Sequence, residues 1–219
     1  MNANMNLKQI ERKAWTSFFQ DGLWDIFMGL VLLAVGIPAV LPNIFTSELH
    51  QDAAAAVLMV LAFLPHWAGK RFITVPRMGH VKFSRARKSR QTKVAVIYAI
   101  SAVVGVIVFL MVMLGLSSSP PAWVQRLGVQ GFVALGIGGW MLFIMGLASY
   151  FMDFTRGYVI AALYALAFSG TVLTHNPIMF IIAGTVAVLM GVVALIRFIR
   201  EYPIPAERQS SEQLYGDNA

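Results

Sequence analysis

The sequence predicts an all-α, multi-pass membrane protein with six transmembrane helices. Three observations predict it. Of 219 residues, 58% are hydrophobic and only 12% are charged, where a soluble domain needs about 25% charged residues. Six apolar runs reach or approach the ~20 residues that cross a bilayer. All but one of the 17 lysines and arginines fall on alternate connecting segments, the bias that keeps basic loops in the cytoplasm.

Residues 1–20 come first. Leu7, Ile10, Ala14, Trp15, Phe18 and Phe19 recur at helical spacing, while Lys8, Glu11, Arg12 and Gln20 fall mainly elsewhere around the wheel. This reads as an amphipathic helix lying on the membrane surface. It does not read as a cleavable signal, because it is polar and the apolar run after it is long enough to span. The six-helix domain then covers 21–200, with helices over about 22–42, 52–69, 94–116, 129–151, 157–174 and 177–199. The second and fifth are short.

The connections give the orientation. On one side lie Lys8, Arg12, Lys13, the basic residues of the 70–93 loop, Arg156, Arg197, Arg200 and Arg208; on the other lies only Arg126. That places both termini in the cytoplasm and requires an even number of spans. The outer connections are short. Asn43 to Gln51 joins the first two helices, and Thr174-His175-Asn176-Pro177 is a tight turn with Pro177 suited to a first helical position. Ala122 to Leu127 reads as a short interfacial helix anchored by Trp123. Trp15, Trp24, Trp67, Tyr150, Tyr158 and Tyr202 form an inner aromatic belt. Residues 201–219 form a polar, flexible cytoplasmic tail.

The 70–93 loop contains Lys70, Arg71, Arg77, Lys82, Arg85, Arg87, Lys88, Arg90 and Lys93 and no acid. Its first half alternates around Pro76-Arg77-Met78-Gly79, the pattern of a small β-hairpin. Its second half is polybasic. Arg77, Lys82, Arg85, Arg87, Lys88 and Arg90 are the candidate contacts for anionic lipid or for an acidic protein partner. Nucleic acid is not expected, since only Phe83 is available among them to stack on a base.

The first and last helix pairs resemble each other. Phe18-Phe19-Gln20-Asp21 parallels Tyr150-Phe151-Met152-Asp153, and Arg71-Phe72-Ile73 parallels Arg197-Phe198-Ile199. This is a candidate parallel duplication of hairpins 1–2 and 5–6, an arrangement found in transporters; apolar helices also resemble one another by composition alone. Asp21-Gly22 opening the first helix, Thr74-Val75-Pro76-Arg77-Met78-Gly79-His80-Val81-Lys82-Phe83 after the second, and Arg197-Phe198-Ile199-Arg200-Glu201-Tyr202-Pro203 closing the sixth give the chain its outline. In that outline it resembles uncharacterised bacterial polytopic integral membrane proteins. The resemblance implies an inner-membrane protein and no activity.

Asp21, Asp25, His66, Asp153 and Arg156 are the candidate ion, proton or substrate site. Asp21 and Asp25 are four apart, the spacing of one helix face, and Asp25 lies about a turn inside the apolar run. Charge at membrane depth is costly and marks function; acids at a helix N-terminus also simply favour its dipole. Asp153 occupies the place of Asp21 in the second copy, or pairs with Arg156 across one turn. His66 titrates, or pairs with Asp25, or serves as an interfacial hydrogen-bonding residue. No metal site is expected, because no second histidine has ligand spacing to His66 and the chain has no cysteine. No catalytic signature or cofactor motif stands out.

Glycines recur at seven-residue spacing, as Gly22, Gly29 and Gly36 and as Gly184 and Gly191, the mark of close helix packing. The cluster Gly136, Gly138 and Gly139 packs, lines a cavity or loosens the fourth helix. Pro38 is a candidate hinge. The leading functional expectation is an accessory, scaffold or regulatory protein that docks through its basic loop and tail. The alternative is a small transporter or channel, alone or as a homo-oligomer. An intramembrane lipid-modifying enzyme ranks last, so no enzymatic activity is expected.

Overall fold

A computed structural model describes residues 19–41, 44, 47–78, 92–93, 95–103, 105–106 and 122–203. Most of those residues are helical, with no strand among them. The elements are α1 (Leu23–Val40), α2 (Glu48–Gly69), a π-helical turn (Lys70–Thr74), α3 (Val75–Met78), α4 (Ala122–Met152), α5 (Gly157–Thr174) and α6 (Ile178–Glu201). Among the described residues five helices are long and apolar enough to cross a membrane. The chain is thus an all-α, multi-pass membrane protein. The remaining expected span, 94–116, is described only at 95–103 and 105–106, which are helical. Residues 1–18 of the amphipathic segment, 79–91 of the basic loop and the tail beyond 203 lie outside the described residues.

Inside a bilayer apolar burial drives little association, because lipid tails are as apolar as leucine. Close packing and polar contacts hold the helices instead. α1 runs against α6 along the two glycine stripes. A Cβ placed on Gly29 would lie 2.7 Å from the Gly184 carbonyl oxygen, and one on Gly191 would lie 2.6 Å from the Ile26 nitrogen. Gly22 has φ 74° and its α-carbon faces the Gly191 carbonyl, so it meets both demands that only glycine meets without strain. α2 flanks α1 on another side, where Gly69 sits against Leu23. α5 packs on α6 and α4 packs on α5. Leu32, Ile160, Tyr164, Ala167, Phe180 and Ala183 fill the centre.

Two structural details correct the sequence reading. Helix two is not short. It begins at Glu48, where the Ser47 hydroxyl caps it by accepting from the His50 N–H at 3.2 Å, and the apolar helical span reaches Arg77. The expected β-hairpin accordingly does not form over 70–78, which are helical. Pro76 would interrupt a regular α-helix, but the turn before it is π-helical, with the Val75 N–H bonded to the Lys70 carbonyl. The change of hydrogen-bond register carries the helix on to Met78.

The bend before the fourth span and the tight α5–α6 turn match expectation, whereas Pro38 does not interrupt α1. Ala122–Met152 bends at Gly128 (φ 71°, ψ 148°), which separates helical residues 122–127 from the span Gln130–Met152. Pro38 is buried inside α1, which continues to Val40. The α5–α6 turn is tight. His175 adopts φ 52°, and the Asn176 side chain accepts from the Ile178 N–H at 3.0 Å. Trp67, Tyr150 and Tyr158 are exposed near the basic end of the bundle, as an interfacial belt requires, but Trp24, expected in that belt, lines an interior cavity with its Nε1 buried.

Candidate functional site

The basic end of the bundle is organised by the segment from Phe19 to Asp25. Gly22, left-handed, separates Asp21 from α1. The two acids therefore do not share one helix face, contrary to their four-residue spacing. Each faces a different neighbour.

Asp21 is fully buried. Its Oδ2 accepts from Lys70 Nζ at 2.6 Å and from Thr74 Oγ1 at 2.7 Å, and its Oδ1 accepts from the Leu23 N–H at 3.2 Å. Lys70 and Thr74 are the first and last residues of the π-helical turn. That turn thus brings two donors from α2's extension onto one carboxylate oxygen. π-Turns recur where a helix must re-aim side chains, and here the re-aiming welds α2 to the start of α1.

Asp25, in the first turn of α1, is also fully buried. Its Oδ2 lies 3.1 Å from Arg156 Nη1. The contact is an ion pair without hydrogen-bond alignment, since neither Asp25 oxygen has a hydrogen-bond partner among the described residues. The reason is visible in the arginine: Nη2 donates to the Phe19 carbonyl at 2.7 Å, which fixes the guanidinium plane. Arg156 therefore ties the α4–α5 turn to the segment that leads into α1.

Arg156 does not pair with Asp153, as local spacing suggested. Asp153 has φ 55°. Its N–H bonds to the Tyr150 carbonyl at 3.2 Å, and the next N–H, of Phe154, bonds to the Ser149 carbonyl at 2.9 Å. That is the Schellman termination of a helix, with Asp153 in the left-handed position. Asp153 joins neither ion pair, so Asp21 and Asp153 occupy unlike environments. His66 does not pair with Asp25 either. Its Nδ1 lies 3.3 Å from the Leu23 carbonyl oxygen, and its ring packs 4.8 Å from Trp24 and 5.5 Å from Phe27.

Of the candidate basic contacts, Arg77 donates to the Ile73 carbonyl at 2.9 Å. Lys82, Arg85, Arg87, Lys88 and Arg90 lie outside the described residues. Sequence reasoning missed Lys70 and Thr74 as site residues. One signal was present: Lys70 directly follows the second apolar run, on the same side as the acid that opens the first.

A cavity of about 520 Å³ lies between α1, the helical residues Tyr98, Ser101, Ala102 and Gly105, α4 and α5. Trp24, Met28, Trp140, Met145 and Tyr164 dominate its walls. Three of its hydroxyls already have acceptors. Ser101 donates to the Ile97 carbonyl, Ser149 to the Met145 carbonyl and Tyr164 to the Met28 carbonyl. Among the described residues no cluster of three or more metal-ligating side chains forms. At the end of α6, beyond the span, desolvation and then Glu201 push the Tyr202 phenol above its ordinary range, so it stays a donor at neutral pH. Comparison with family models, curated proteins and solved structures returns no match for this chain.

Proposed function

We propose that this chain is an accessory or scaffold protein of a bacterial cell membrane, with cytoplasmic termini, that docks a partner through the basic segment following α3. One observation carries the preference over a transporter. The buried acids that a cation pathway would need each face a cation of the same chain, Asp21 with Lys70 and Asp25 with Arg156. Each pair braces helices together at the end that would have to open. The cavity between the helices supports the same reading, because its lining is overwhelmingly apolar and Ser101, Ser149 and Tyr164 already donate to backbone carbonyls. A hydrophilic solute would lose its hydration there and find few polar groups, chiefly the Trp24 indole N–H and the Tyr98 hydroxyl, to replace it.

The test is purification from native membranes in mild detergent, with mass spectrometry of what co-elutes. A variant with Arg85, Arg87, Lys88 and Arg90 changed to glutamine is purified in parallel. The expected result is a stoichiometric partner that is lost from the variant while the chain itself remains intact. A single species unaffected by the change would sink the docking reading.

The transporter reading has one observation of its own. Both Asp25 oxygens are buried without a hydrogen bond among the described residues, as an acid that exchanges a proton would be. Under that reading Asp25→Asn abolishes proton-coupled flux in proteoliposomes. Under the docking reading it leaves partner recovery unchanged. A flux that survives Asp25→Asn in full removes Asp25 from any mechanism.

A further inference from the structure

A second recess, of about 680 Å³, lies on the outer face of α6. It plays no part in the docking reading. Its size is within the ~300–1,000 Å³ typical of ligand sites. Along α6 its wall is Val186, Leu189, Met190 and Val193, which the helical repeat places on one face. Its basic end is formed by Arg197, Arg156, Gln20 and Tyr202, with Glu201 on the rim. The recess is thus aliphatic at membrane depth and cationic where the span ends.

The two arginines differ in state. Arg156 is compensated by Asp25 but keeps 28% of its side chain exposed, and a guanidinium has five N–H donors. Arg197 is exposed and makes no hydrogen bond or ion pair among the described residues. Guanidinium forks match phosphate oxygens in pairs. Glu201 offsets part of the charge, so preference for a net negative headgroup rests on Arg197.

We infer that this recess is a site for an anionic glycerophospholipid. Its phosphate lies at Arg197 and Arg156, with Gln20 and Tyr202 as further donors, and one acyl chain runs down Val193, Met190, Leu189 and Val186. None of the lining residues belongs to the basic segment after α3, and the two are distinguishable by experiment.

The test uses the full chain in nanodiscs containing phosphatidylglycerol or phosphatidylcholine with a diazirine in the acyl chain. Photolabelled positions are mapped by mass spectrometry. The expected result is labelling of α6 within 186–193 by phosphatidylglycerol, about fivefold above phosphatidylcholine, the scale of one basic residue at an anionic surface. Arg197→Gln should lower the phosphatidylglycerol signal to the phosphatidylcholine level, and Arg197→Lys should keep most of it. Changing Arg85, Arg87, Lys88 and Arg90 to glutamine should leave α6 labelling intact. Equal labelling by both lipids overturns the inference, as does a signal indifferent to Arg197→Gln. So does absence of label on α6 in folded protein, the result if another part of the chain covers the recess.

Discussion

Gly191→Leu is expected to separate α1 from α6 and to deplete folded, monodisperse protein in detergent. A β-carbon at residue 191 meets the backbone of α1 at two points, as well as the Ile26 Cγ1 at 2.7 Å. Its neighbours would be the Ile26 nitrogen at 2.6 Å and the Gly22 carbonyl oxygen at 2.8 Å. Overpacking a core typically costs about 1–3 kcal/mol where side chains can yield. Here two helix backbones would have to part along a stripe that also includes Gly29 and Gly184, so the cost should lie at or above that upper end. Gly139→Leu supplies the comparison. Gly139 is also in a membrane-spanning helix, but a Cβ there meets nothing within 4 Å. Its replacement should leave the melting temperature unchanged or raised, since glycine is the poorer helix former by roughly 1 kcal/mol. The check is thermal unfolding followed by size-exclusion chromatography on both variants. Equal behaviour of the two would mean that the α1–α6 contact does not hold the bundle.

This contrast also shows which parts of the fold were legible in the sequence. Hydropathy and charge segregation placed α1, α5, α6 and the Gln130–Met152 span of α4 within a few residues of their observed ends, because lipid demands length and apolarity of each span locally. The glycine stripes were legible for the same reason: a seven-residue spacing of small residues has only one structural use at close range. Lys70 and Thr74 were not legible. Pro76 and the alternation around it are locally a turn signal, and only the change to π-helical bonding lets the helix pass them. The partner of Arg156 was not legible either. Asp153 is close in sequence and Asp25 is far, and hydropathy sets which membrane side a residue occupies but not its direction around the bundle axis. The geometry of the candidate site depends on those directions, so the sequence could nominate Asp25 and Arg156 without joining them.

Lys70→Met is expected to destabilise the protein more than Asp21→Asn. The difference follows from which partner can escape. Asp21 is short, has no exposed surface and is held to its own backbone by the Leu23 N–H. Without Lys70 its carboxylate stays buried with only Thr74 and that N–H for support. Removing one member of a buried pair in this way costs about 3–5 kcal/mol. Lys70 has a long stem and 13% of its side chain already exposed. Without Asp21 it can extend its ammonium toward the headgroups while its methylenes stay packed. The double variant Asp21→Asn/Lys70→Met removes both charges and keeps the Thr74 contact available to an amide. It should therefore recover a large part of what Lys70→Met loses. Melting temperatures of the wild-type chain, both single variants and the double variant in one nanodisc preparation form a double-mutant cycle. A strong positive coupling, with Lys70→Met the least stable of the four, is the expected pattern. Simple additivity would mean that the ion pair joining the π-helical turn to α1 contributes nothing of its own, and that the closed basic end is held by packing alone.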